Sequence, residues 1–217
     1  MLRLLFEKTG DAVWISHLDL MRLFQRAFKR ANLQLTHTQG FNPRPSVSIA
    51  LPLSVGVESK CELLDFSLEG DVPPFEEIEH RLNAALTRGV RVLQVYEGGR
   101  KLRELSLLRC RLELTYDGGV PADLPEAVRK LFTSETLLVP KKTKNGVQEQ
   151  DIIPMLKEFD IKTTAENSIA LEALVCCQNP TLNPMQLVEA IRMHLTAPDF
   201  AQCCRIEVYD NQNTIFR

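Results

Sequence analysis

Apolar periodicities in the order strand–helix–strand–strand–helix–strand run through residues 1–98 and again through 106–217, predicting an α+β chain of two tandem ferredoxin-like halves with antiparallel sheets. A second observation supports the duplication: Gly98-Gly99-Arg100-Lys101 opens a linker over 99–105, leaving halves of roughly a hundred residues. A third is composition. With 44% hydrophobic and 25% charged residues the chain is an ordinary globular one, and its net charge of −2 gives no global sign of a nucleic-acid partner.

Leu2–Lys8 reads as a buried strand, Thr9-Gly10-Asp11 as a turn, and Ala12–Ile15 as a short second strand or strand end. Ser16 caps a helix reaching about Ala31, and Asp19 three residues on is close to a capping box. Leu20, Phe24, Ala27 and Ala31 share one face with Leu23 and Phe28 flanking, while Arg22, Arg26, Lys29 and Arg30 share the other. Gly40-Phe41-Asn42-Pro43-Arg44-Pro45 cannot be regular structure, because each proline removes a donor and restricts its predecessor. Ser46–Leu53 alternates as a strand, Gly56–Lys60 turns, and Cys61–Leu68 is another strand. Pro73 and Pro74 open a second helix that turns Ile78, Leu82, Ala85 and Leu86 inward, and Val90–Tyr96 closes the half.

The second half repeats the pattern. Leu107–Tyr116 is a strand, Pro121–Phe132 a helix and Thr136–Lys142 a strand. Asn145-Gly146 between Lys144 and Val147 is a two-residue hairpin turn. Ile152–Phe159 reads as a short helix broken at Pro154, and Ser168–Cys177 as a strand. Asn183, with Pro184 after it, caps a helix that buries Leu187, Val188, Ile191 and Leu195, and Cys203–Tyr209 is the last strand.

Charge is segregated along this order. No Asp or Glu occurs from Leu20 to Val57, whereas residues 61–80 are acidic and carry no Lys or Arg. A row of arginines whose planar forks suit phosphate is the expected footprint of nucleic-acid contact. Arg22, Arg26, Lys29, Arg30 and Arg44 are the expected phosphate ligands, set against a plain solvated helix face. The Gly40-Phe41-Asn42-Pro43 loop is either a rigid connector or a binding loop in which Gly40 lets backbone amides approach an anion and Asn42 is a further nucleic-acid contact, and Phe41 is either a core plug or a stacking platform. Lys141, Lys142 and Lys144 are either a second contact on the same polymer or a soluble loop tip that blocks edge pairing.

No P-loop, nucleophile elbow, H-E-x-x-H or dinucleotide fingerprint occurs. His17 beside Asp19, and His37 in the loop, are the alternative acid–base candidates, set against a plain surface role. The six cysteines include no C-x-x-C, so they are expected to be reduced core residues with no disulfide, no metal and no cluster in this chain. The N-terminus has charges at Arg3, Glu7 and Lys8 and no signal-peptide pattern, and no run is apolar enough for a membrane span, which leaves the cytoplasm as the expected location.

Ile15-Ser16-His17-Leu18-Asp19-Leu20-Met21-Arg22, with Arg26-Ala27, Arg30-Ala31 and Gly40-Phe41-Asn42-Pro43-Arg44-Pro45, resembles the radical-SAM-linked proteins, a bacterial family encoded beside or fused behind a radical SAM enzyme. The likeness spans most of the chain and is strongest over residues 2–70, and Lys141-Lys142-Thr143-Lys144 with Asp151-Ile152 is similar to a later basic motif. The resemblance implies a radical SAM partner that carries the iron–sulfur cluster and S-adenosylmethionine. The expected function is a non-catalytic accessory module that binds RNA for modification. The alternatives are a metal-independent RNA-processing enzyme resembling repeat-associated RNA endonucleases, and a protein-binding adaptor.

Overall fold

The protein, described here from a computed structural model over residues 1–143 and 146–217, divides into two units, residues 1–102 with Arg217 and residues 103–216. It is an α+β protein with antiparallel sheets and, among the described residues, four α-helices.

In the first unit β1 (Leu2–Lys8) lies between β4 (Val90–Glu97) and β3 (Glu58–Phe66), and the short β2 (Val47–Ile49) pairs with β3. The order β4-β1-β3-β2 is antiparallel throughout. α1 (His17–Arg30) follows β1, and α2 (Phe75–Ala85) follows β3. The apolar side of α1 meets the sheet through aromatic pairs: Phe24 stands edge-on to Phe6 at 4.7 Å between centroids, and Phe28 is tilted on Phe66 at 4.9 Å. Leu20, Phe24, Ala27 and Phe28 are fully buried with Ile78 and Leu82 of α2. Each of these leucine, isoleucine and phenylalanine side chains stabilises by about 1.5–3 kcal/mol when it leaves water. Asn83 of α2 donates to the Val92 carbonyl and accepts from the Val92 amide, pinning the helix to β4 beside an irregularity in the β1–β4 register.

In the second unit the order is β10-β5-β9-β8, again antiparallel, from β5 (Leu107–Thr115), β8 (Leu156–Ala165), β9 (Ser168–Cys176) and β10 (Phe200–Tyr209). α3 (Leu124–Phe132) follows β5, and α4 (Met185–His194) follows β9. A hairpin of β6 (Leu138–Thr143) and β7 (Gly146–Asp151) forms its own two-stranded sheet.

Several expectations are corrected. Ala12–Ile15 is not strand. Residues Gly10–Trp14 form a 3-10 helix, because Gly10 turns the chain at φ +56°. The strand expected over Ser46–Leu53 is only three residues long, since Leu51 at φ +38° leaves the extended region and Pro52 follows. The Thr136–Lys142 strand pairs with β7 rather than with the main sheet. The helix expected over Ile152–Phe159 is one 3-10 turn, Ile153–Met155, after which the chain becomes β8. Pro154 sits in the first positions of that turn, and in the strand that follows half-buried Phe159 and buried Ile161 lie on one side while Asp160 between them stays exposed. The strand expected over Ser168–Cys177 forms as Ser168–Cys176, and the helix after Asn183 runs from Met185 to His194 with the Met185 amide donating to Asn183 Oδ1 at 3.1 Å, leaving Leu195 half-buried past its end. Of the expected Asn145-Gly146 turn, Gly146 begins β7, whereas Asn145 and Lys144 lie outside the described residues.

Candidate nucleic-acid interface

Ser16 starts α1 by accepting the Asp19 amide on its hydroxyl at 3.2 Å, while the same hydroxyl donates to Asp19 Oδ2 at 2.7 Å. The other oxygen, Oδ1, accepts from Arg22 Nη1 at 3.0 Å. The Ser16 hydroxyl foremost, then Arg22, hold the Asp19 carboxyl below its ordinary range. Asp19 is thus more than a cap. It is an acidic neighbour on the basic face that a reading by i±4 spacing overlooks, because the pair forms at i,i+3.

Arg22, Arg26, Lys29 and Arg30 are all exposed, on the side of α1 opposite the core. Ile15, Asp19, Arg22, Leu23, Arg26 and Arg30 line an open groove of about 440 Å³, three guanidinium groups against one carboxylate. Arg30 is anchored, with Nη2 donating to the Ala85 carbonyl at the end of α2 at 2.6 Å, where the helix dipole favours a cation. Among the described residues Arg26 and Lys29 have no ion-pair partner, and none of the four is paired with the acids of residues 61–80.

The Gly40 loop is the tip of a narrow hairpin. Ser46 N–H donates to the Thr36 carbonyl, Thr38 N–H to the Arg44 carbonyl, and Arg44 N–H to the Thr38 hydroxyl. Gly40 takes φ +133°, and a β-carbon built there would meet nothing within 4 Å, so the backbone conformation, open to glycine and strained for other residues, is what favours glycine. Gly40, Phe41, Asn42 and Arg44 are all exposed, and Phe41 at 106% relative exposure is no core plug. The hairpin base closes a cavity of about 280 Å³ with the C-terminal part of α1, lined by Lys29, Phe28, His37 and Pro45 among others.

The histidines do not converge. His17 begins α1 with Nδ1 buried and, among the described residues, without a hydrogen-bond partner. His37 faces the helix's C-terminal part and lies 3.8 Å from Glu69, both exposed. Lys141 belongs to the second unit, where its ammonium donates to the Thr181 carbonyl at 3.5 Å. The side chain of Lys142, like Lys144, lies outside the described residues. Among the described residues no three His, Cys, Asp or Glu side chains group as metal ligands, and no helix is long and apolar enough to cross a membrane.

The sequence reading missed two features. Lys8 is fully buried, and its ammonium donates to the Val13 carbonyl at 3.1 Å and the Ile15 carbonyl at 2.8 Å. Trp14, between those two carbonyls, is 71% exposed, and Leu18 one turn on is also exposed. A lysine ending an apolar strand was the available signal, since a buried ammonium requires acceptors nearby.

No curated protein matches the chain. A solved structure described as an unknown protein from Galdieria sulphuraria is similar at 12% identity over 88% of this chain and 89% of that one, with a TM-score of 0.27, too low to carry an argument. The sequence profile of a family described as "Uncharacterized protein conserved in bacteria (DUF2344)" matches residues 1–184, so the chain that carries this arginine-lined groove and exposed hairpin belongs to that family.

Proposed function

We propose that the chain is a non-catalytic RNA-binding module that presents RNA to a radical SAM enzyme for modification in the cytoplasm, the partner contributing the iron–sulfur cluster and S-adenosylmethionine. The observation that carries the RNA half is the row of exposed Arg22, Arg26 and Lys29 along one helix, with Arg30 anchored in the same groove wall. The radical SAM half rests on the sequence resemblance. Each unit's strand order supports reading the architecture as tandem ferredoxin-like halves, the second enlarged by the β6–β7 hairpin.

Arg26 and Lys29 are the main phosphate ligands in this reading. Arg22 exchanges Asp19 for a phosphate, and an exposed pair of this kind is held weakly enough to exchange. Arg44 and Phe41 on the hairpin, with Gly40 and Asn42 shaping its tip, extend the contact past the end of α1. Lys141, Lys142 and Lys144 are a further cationic segment of the second unit. The separated histidines favour binding over cleavage.

The test is RNA binding across a salt series by the wild type and by Arg26→Glu/Lys29→Glu. Affinity should fall steeply with salt, by a log–log slope of roughly −0.7 per phosphate contacted in a single strand. The charge-reversed protein should stay folded, bind all sequences more weakly and show a shallower slope. Binding indifferent to salt and to the reversal would remove the RNA reading, and cleavage lost in His17→Ala would replace it with the nuclease.

A further inference from the structure

Resting on the RNA reading above, we infer that Trp14 is a preorganised stacking platform for one unpaired nucleobase at the mouth of the arginine groove, so that the module takes single-stranded RNA rather than duplex.

Trp14 ends the 3-10 helix Gly10–Trp14 with most of its ring in water. Its backbone is fixed from below. The buried Lys8 ammonium holds the carbonyls on either side of it, those of Val13 and Ile15, and the Gly56 amide donates to the Val13 carbonyl at 2.9 Å. Ile15 N–H donates to the Ala12 carbonyl at 3.0 Å, closing the turn. Gly56 lies against the ring: a β-carbon built there would stand 3.6 Å from Trp14 Cζ3. Burying a lysine is costly, and here it fixes the two peptide groups that hold an outward-facing indole. An aromatic side chain so held loses little freedom when a base stacks on it.

The neighbourhood says what the base is attached to. Ile15, the next residue, is a wall of the groove that holds Arg22, Arg26 and Arg30. Leu18, the second residue of α1, is exposed and heads the row that continues as Arg22 and Arg26 at helical spacing. An apolar ring followed by guanidinium groups along one helix is the pattern that binds bases by their faces and the backbone by its phosphates. Bases inside a duplex do not offer those faces.

Trp14 is the only tryptophan in the chain, so the full-length protein reports on it directly. The experiment titrates the protein with fluorescently labelled oligouridine, reading both RNA anisotropy and tryptophan emission, and repeats it with an abasic strand of equal length and with a duplex. The expected result is emission quenched in step with binding of oligouridine and unchanged by the abasic strand. Trp14→Ala should lose about tenfold or more in affinity for oligouridine, Trp14→Phe much less, and neither should change affinity for the abasic strand. RNA binding with unchanged emission and an unaltered Trp14→Ala protein would overturn the platform, leave the phosphate row standing and assign the ring to a protein partner. Absence of all RNA binding would overturn both.

Discussion

The Arg3 guanidinium clasps the Asp65 carboxylate directly across the β1–β3 ladder, Nε to Oδ1 at 2.6 Å and Nη2 to Oδ2 at 3.1 Å, with both residues buried. Nη2 also donates to the Arg100 carbonyl at 2.7 Å, so the pair ties the Gly98–Lys101 segment to the sheet. A two-point pair holds strand register as well as charge.

Breaking this pair should be far worse than replacing it. Asp65→Ala strands a buried guanidinium and should cost about 3–5 kcal/mol, whereas Arg3→Met with Asp65→Leu should recover most of that loss. Urea unfolding of the two variants makes the comparison. Equal losses would show that the side chains contribute by shape rather than by charge.

Burial pushes the Cys177 and Cys203 thiols up to about 12 and moves Cys110 in the same direction. Of the six cysteines only Cys204 is partly accessible. A thiol reagent applied to the native protein should therefore label Cys204 first and the other five only after unfolding. The unfolded chain releases these protons near pH 8.5, well before the folded one does. Stability should be intact below that pH and decline as pH rises from it toward about 12, with Tyr116, raised to about 12 chiefly by burial, adding to the decline. A flat urea midpoint across that range would contradict the assignment.

Asp19 works in the other direction. Its carboxyl lies below the usual carboxylate range, held there by the Ser16 hydroxyl and Arg22, so its contribution is present above about pH 4 and lost as pH falls through its own lower value. Asp19→Asn should flatten that part of the acid limb in a thermal-unfolding series. It should also release Arg22 and remove the one carboxylate lining the groove, raising RNA affinity. An unchanged or weaker affinity would mean that Arg22 needs Asp19 to orient it.

The α+β class, α1 with its Ser16 cap, its buried Leu20–Phe24–Ala27 face and its exposed arginines were legible from residue spacing, because helical period and capping are local properties. The tip of the Gly40 hairpin was legible for the same reason, through its glycine and prolines. Tertiary structure alone decided the rest. Residues 156–165 became a strand because β9 supplied a partner ladder. Arg3 and Lys8 could be buried only where distant or turned-back chain supplied acceptors, Asp65 in one case and the carbonyls around Trp14 in the other. Periodicity describes which side of an element faces inward; whether a charge can follow it there depends on partners that only folding brings within hydrogen-bond reach.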